Sequence, residues 1–145
     1  MTRCWVAAVL VALSGCDRKD VAFILPKAYT GWVEVEILND RCDGLQGDRR
    51  GPAVKVPRDG RACTSADLGA TILTFRFYDG DSLTPLPDTN WGGGGRVWAA
   101  AGPGIKACVG PCQSSADGGL RSSIIFLEFF IGTEAQFRSN RYPHP

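Results

Sequence analysis

The chain has 145 residues, the length of about one domain, and its 16 Lys and Arg against 15 Asp and Glu leave a formal charge of +1. This near balance argues against a strongly basic nucleic-acid binder and against an acidic disordered tail, so we expect no nucleic-acid partner. Apolar residues make up 44% of the chain, enough for a packed core, whereas 18 Gly and 9 Pro disfavour a helical bundle.

The first 15 residues are typical of a secretory signal peptide. A short positive start, Met1-Thr2-Arg3, precedes an uncharged apolar run from Cys4 to Leu13 that is too short for the ~20 residues of a membrane-spanning helix. The following Leu13-Ser14-Gly15-Cys16 resembles the signal of bacterial lipoproteins, in which small residues admit a peptidase and the Cys thiol receives lipid. An ordinary signal peptide, or a buried apolar strand with a chance Cys, is the alternative.

Lipid on Cys16 implies a bacterial envelope protein that faces the periplasm and is held to the membrane by acyl chains such as palmitate. In lipoproteins of the enterobacterial kind an Asp directly after the lipidated Cys favours retention at the inner membrane, and Asp17 occupies that position. We therefore divide the chain into a signal peptide (1–15), a membrane-proximal tether (16–20) and one folded domain (21–145).

The folded part predicts short strands separated by turns. Val33, Val35 and Ile37 alternate with charged residues, which is typical of a strand with one buried face. The apolar and turn patterns place strands or apolar segments, in chain order, at Val21–Leu25, Trp32–Ile37, Ala53–Val56, Ala70–Tyr78, Arg96–Ala100 and Ser122–Ile131.

The last of these segments contains the strongest apolar run and predicts a central strand. Thr133 with Gln136 three residues later predicts a capping box for a short helix from Glu134 to about Asn140. The fold class is therefore mainly β, a small sandwich of about six to eight short strands with a short C-terminal helix.

Four cysteines remain after Cys4 is removed and Cys16 is lipidated, and an even number outside the cytoplasm predicts two disulfides. Among the three possible connectivities we favour Cys42–Cys63 and Cys108–Cys112, because each pair lies locally in turn-rich sequence. A four-thiolate zinc site and a redox-active pair at 108–112 are the alternatives.

Three stretches, Phe23–Val33, Val54–Gly60 and Phe130–Phe137, together resemble a family of uncharacterised bacterial lipoproteins that carries a domain of unknown function. The resemblance implies a small β-sandwich behind a lipoprotein signal. It brings no catalytic residue with it, because the family has no established one.

Two tryptophans, Trp91 and Trp98, flank the glycine run 92–95 and are suited to stack on a sugar ring, although core packing is the more common role. Oxygen ligands for calcium are present at Asp79, Asp81, Asp88 and Asn90, but their spacing does not match an EF-hand. The single His lies between two Pro residues near the C-terminus and has no obvious Ser partner. We therefore predict no catalytic residue, no metal and no cofactor.

These patterns favour a non-enzymatic binding or accessory module of the cell envelope, with an envelope protein or a glycan as its partner. The turn-rich segments Asp79–Gly95 and Gly102–Gly119 are the expected recognition loops. The alternatives are an envelope hydrolase that acts on cell wall or glycan through paired carboxylates, and a purely structural component of an assembly.

Overall fold

The structure, a computed structural model, describes residues 19–68, 73–87, 94–99, 104–112 and 121–140, with the side chains of Lys19, 104–112 and 121–124 outside the description. These ranges contain nine strands, which form two sheets, and one helix. The elements are β1 Lys19–Leu25, β2 Gly31–Ile37, β3 Gln46–Asp48, β4 Gly51–Lys55, β5 Arg61–Cys63, β6 Leu73–Asp79, β7 Val97–Trp98, β8 Gly104–Cys112, β9 Arg121–Ile131 and α1 Glu134–Ser139.

The first sheet has the strand order β3-β4-β1-β6. Strand β1 pairs in parallel with both β4 and β6, and its residue Ala22 lies opposite Ala53 on one side and Arg76 on the other. Among the described strands of this sheet only β3 and β4 pair antiparallel, and Asp48 faces Gly51 across a tight turn. The starts of β1, β4 and β6 therefore lie at the same end of the sheet.

The second sheet has the order β5-β2-β9-β7, and β8 also pairs with β9. Strand β9 pairs antiparallel with β2 from Ile125 to Ile131, so the prediction of a central strand there is confirmed. Strand β5 pairs in parallel with β2, because the chain returns to this sheet after β4 through the turn at Pro57–Gly60.

The core lies between the two sheets and is centred on Phe23, which has no exposed surface. The centroid of its ring is 5.4 Å from that of Phe77 in its own sheet and 5.2 Å from that of Phe129 in the other. The predicted alternation in β2 is confirmed, since Val33 and Val35 are fully buried beside this cluster. Burying each large apolar side chain contributes roughly 1.5 to 3 kcal/mol, so this face-to-face packing holds the sheets together.

The predicted mainly β fold is confirmed, and so is the capping box at the start of α1. The backbone N of Gln136 donates to Thr133 Oγ1 at 3.3 Å, and the backbone N of Thr133 donates to Gln136 Oε1 at 2.8 Å. The short strands β3 and β5 lie outside the segments in which the sequence predicts strands. Gly104–Cys112 is also strand, with a register shift between Ala107 and Cys112, so its assignment to a turn-rich loop is wrong.

Strand β1 extends two residues into the segment that the sequence assigns to the tether. Lys19 lies opposite Leu73 in β6, and Asp20 lies opposite Thr74. The carboxylate of Asp20 also accepts from Arg76 Nε at 2.9 Å. The sheet therefore begins at Lys19, three positions after Cys16.

Candidate functional site

A groove of about 270 Å³ opens on the outer face of the second sheet. Strands β2 and β9 form its floor, and the turn before β5 forms one wall. The residues that line it are Trp32, Val33, Glu34, Asp59, Gly60, Arg61 and Glu128. Its volume lies near the lower limit of small-molecule pockets, which suits a single small ring rather than a larger ligand.

The strand register brings the charged side chains of the groove into one row. Glu34 lies directly opposite Glu128 on one side and in register with Arg61 on the other. Directly opposed residues on neighbouring strands have Cβ atoms about 5 Å apart, so the two carboxylates share one patch. Like charges placed opposite each other destabilise a sheet, and Arg61 supplies a cation in the same row.

The turn that forms the wall is fixed by backbone hydrogen bonds. The N–H of Gly60 donates to Pro57 O at 3.1 Å, and Gly60 O accepts from the N–H of Glu34 at 2.9 Å. The carboxylate of Asp59 accepts from the N–H of Arg61 at 3.1 Å. Glycine is required at position 60 because φ is +77° there and a Cβ atom would collide with the Tyr29 hydroxyl and the Trp32 carbonyl.

Tyr29 supports the groove from behind, where its hydroxyl donates to Trp32 O at 2.7 Å. Burial raises the pKa of Tyr29 above its ordinary value of 10.0, and the nearby charge of Asp59 raises it further. Both effects favour the neutral phenol, so this donor is present at physiological pH.

An aromatic cluster covers the end of the groove. The ring of Trp32 lies 5.5 Å from Phe130 and 5.9 Å from Phe137, measured between centroids. Trp98 stacks on Phe137 at 5.5 Å with an interplanar angle of 14°, and its Nε1 donates to Gly132 O at 2.9 Å. Trp98 is therefore engaged in packing α1 against the sheet, and Trp91, the other predicted stacking residue, lies outside the described residues.

A second cavity, also about 270 Å³, lies beside the Cys42–Cys63 disulfide at the side of the sandwich. The two cysteines have Cα atoms 5.8 Å apart, and their bond is the first of the two predicted pairings. The buried hydroxyl of Thr64 donates to Asp43 O at 3.0 Å and accepts from Ala66 N at 3.2 Å. These contacts fix the β2–β3 connection to β5.

The second predicted disulfide, Cys108–Cys112, and the predicted lipidation site Cys16 lie outside the described side chains, and both stay predictions. Asp79, one of the predicted calcium ligands, accepts from the backbone N of Ala28 at 2.7 Å and so acts as a turn acceptor. Within the described ranges, no three His, Cys, Asp or Glu side chains gather in a way that would hold a metal ion. No helix in the same ranges is long and apolar enough to cross a membrane.

The sequence does not predict the groove beside Trp32, although the alternation of residues in β2 predicts that Glu34 points outward. The missing information was the pairing of β2 with β9 and β5, which joins residues 34, 61 and 128. The spacing of these three residues along the chain gives no hint of their proximity.

Two sheets packed around an aromatic core, with an outward polar groove, define a small β-sandwich protein. Comparison with solved structures finds the same fold in a Bacillus anthracis protein whose crystal structure is titled "Putative Lipoprotein". The two chains superpose with a TM-score of 0.55 at 15% sequence identity, over 89% of this chain and 82% of the other. No family model matches this chain, and no curated protein matches it. The lipoprotein family that the sequence resembles therefore stays a prediction.

Proposed function

We propose that the chain is a bacterial lipoprotein, lipidated on Cys16 and anchored to a membrane of the cell envelope with its folded domain facing the periplasm. The observation that carries this proposal is Leu13-Ser14-Gly15-Cys16 placed directly after an apolar run of signal-peptide length. The fold shared with a protein titled a lipoprotein supports it. So does the start of β1 at Lys19, because a folded domain would then follow the processing site directly.

The test is replacement of the thiol that would carry the lipid. Cys16→Ala should abolish incorporation of a fatty-acid analogue and leave the signal peptide uncleaved, because lipidation precedes cleavage in this pathway. Cys4→Ala is the matched control, since it removes a nearby thiol from the predicted signal peptide without changing the predicted lipidation site. Equal labelling of wild type and Cys16→Ala would refute the anchor.

Which of the two membranes retains the protein is a finer part of the same proposal. Asp17 supports retention at the inner membrane, so Asp17→Ser should move the protein toward the outer-membrane fraction in an enterobacterial host. Separation of the two membranes on a density gradient measures the shift. An unchanged distribution would remove Asp17 as the retention signal.

We further propose that the domain is a non-enzymatic binding module and that the groove beside Trp32 contacts its ligand, an envelope glycan. An indole edge beside a row of carboxylate and guanidinium groups suits a sugar ring, which has an apolar face and hydroxyls that both donate and accept. Glu34 and Arg61 supply the acceptor and the donor of this row.

Binding to purified peptidoglycan sacculi and to soluble amino-sugar oligomers tests the groove. Arg61→Gln should weaken binding by at least about tenfold, because a charge-assisted hydrogen bond is worth roughly 1.5 to 3 kcal/mol. Arg58→Gln is the control, since Arg58 is exposed on the same turn and does not line the groove. Equal binding by both variants would place the ligand elsewhere.

The direct opposition of Glu34 and Glu128 favours one second candidate, a glycan hydrolase with two carboxylates. Product release from the same sacculi distinguishes the two functions. A hydrolase would release soluble fragments and lose that activity in both Glu34→Gln and Glu128→Gln. A binding module would release none.

A further inference from the structure

The connection between the proposed anchor and the folded domain is very short. The first residue of β1, Lys19, is held in the sheet opposite Leu73. Three residue steps separate it from Cys16, and an extended chain covers at most about 3.6 Å per step, or roughly 11 Å in total. This limit depends only on covalent geometry.

The headgroup layer of the bilayer accounts for more than half of the distance that the chain can cover between Cys16 and Lys19. A glyceryl thioether places Cys16 at the boundary between the acyl chains and the headgroups. The headgroup layer of one leaflet is roughly 5 to 7 Å thick, from the difference between the full bilayer and its hydrocarbon core. About 5 Å then remains between the outer limit of the headgroups and Lys19, less than two layers of water. We propose that the end of the sandwich where β1 begins rests directly on the lipid headgroups.

This inference rests on the proposed lipidation of Cys16, and it adds an orientation that the anchor alone does not give. The starts of β1, β4 and β6 share one end of the first sheet. We call this end the tether end. Asp20, the second residue of β1, lies there with its side chain 41% exposed.

The opposite end faces away from the membrane. The chain leaves β1 at Leu25, and the turn at Pro26–Thr30 leads into β2, which runs back toward the tether end. The six residue steps of β1 span about 20 Å, so Lys27 in that turn lies roughly this far from Lys19 and the tether end. The groove beside Trp32 lies at this distal end, which leaves it open to a partner in the periplasm.

Energy transfer to a dye on the lipid headgroups tests the orientation. The full chain is purified from bacterial membranes, confirmed by mass to be acylated, and reconstituted in phosphatidylethanolamine–phosphatidylglycerol vesicles. A genetically encoded fluorescent residue replaces either Asp20, whose side chain is 41% exposed, or Lys27, which is also exposed. We expect quenching at position 20 to exceed that at position 27 by at least about twofold, because the five steps of β1 from Asp20 to Leu25 separate the two sites by roughly 17 Å.

Lengthening the tether is the matched control. An insertion of about 20 Gly and Ser residues between Arg18 and Lys19 keeps Cys16 and Asp17 unchanged but frees the domain from the surface. The difference in quenching between the two positions should then fall to near zero.

The outcomes separate the orientation from the anchor. Equal quenching at the two positions in acylated protein with the native tether would overturn the orientation and leave the anchor intact. Quenching that is insensitive to the insertion would overturn the claim that the short tether causes the contact. Absence of acyl mass on Cys16 would overturn the anchor, and the orientation with it.

Discussion

The guanidinium carbon of Arg50 lies 5.2 Å from the centroid of the Tyr78 ring. The Arg50 side chain is only 4% exposed, and its Nε and Nη2 donate to the carbonyls of Ser82 and Gly80 at 2.8 and 2.9 Å. Its Nη1 donates to Asp48 Oδ1 at 3.1 Å. One buried cation thus joins the β3–β4 turn to the segment that follows β6.

Replacing Arg50 should therefore destabilise the domain without touching the groove. We expect Arg50→Ala to lower the free energy of unfolding by roughly 2 to 4 kcal/mol, because three acceptors and an aromatic face lose their buried donor. Urea denaturation followed by circular dichroism measures this loss. Arg49→Ala is the control, and its exposed side chain should change stability by less than about 0.5 kcal/mol. Similar losses in the two variants would contradict the role of Arg50.

The Cys42–Cys63 bond should stabilise the domain mainly by restricting the unfolded chain. The two cysteines are 21 positions apart, and closing a loop of this size is worth roughly 3 kcal/mol in the chain-entropy model. The double variant Cys42→Ser, Cys63→Ser should lose about that amount in urea denaturation. Its native circular dichroism should persist, because the hydrogen bonds that Thr64 Oγ1 and Ser65 N donate to Asp43 O still hold the connection. Asp43→Asn is the control, since those bonds use the backbone carbonyl and not the side chain.

The elements that sequence predicted best are those in which one side-chain pattern covers a whole strand. Val33, Val35 and Ile37 alternate inward in β2, and the apolar run before Ile131 forms the central strand. Thr133 and Gln136 form the predicted capping box because this motif needs only local geometry. Burial of apolar side chains and local capping can both be read within a few residues.

The elements that sequence missed depend on contacts between distant parts of the chain. Gln46–Asp48 and Gly104–Cys112 contain Gly, and the second also contains Pro, so local preference favours turns. Pairing with β4 and β9 supplies the backbone hydrogen bonds that override this preference. The groove was missed for the same reason, because Glu34, Arg61 and Glu128 meet only through register.

Glycine at position 60 should be far less replaceable than glycine at position 51. Both have positive φ values, +77° and +106°, so a side chain would be strained at either position. A Cβ at position 51 meets nothing within 4 Å, whereas at position 60 it would collide with the Tyr29 hydroxyl and the Trp32 carbonyl. Gly51→Ala should cost roughly 1 to 2 kcal/mol and Gly60→Ala at least about 2 kcal/mol more. Equal losses in thermal unfolding would show that the groove wall adapts.

Ionisation of Tyr29 should lower the free energy of unfolding of the domain as the pH becomes alkaline. Burial and the charge of Asp59 raise its pKa in the folded state above 10.0, so the folded chain holds the phenolic proton more tightly than the unfolded chain. The resulting stability is complete below pH 10.0 and is lost as the pH rises through the folded pKa. In Tyr29→Phe this loss is absent, although the hydrogen bond to Trp32 O is lost too, at a cost of about 1 kcal/mol.

The free energies of unfolding of wild type and Tyr29→Phe should therefore converge between about pH 8 and about pH 11. Urea denaturation at each pH measures the difference, and other tyrosines and lysines cancel because both chains contain them. Asp59→Asn should weaken the convergence, since it removes the nearby charge but keeps an oxygen that can accept from Arg61 N. A difference that widens with pH would mean that the fold favours the ionised phenol, contrary to its burial beside Asp59.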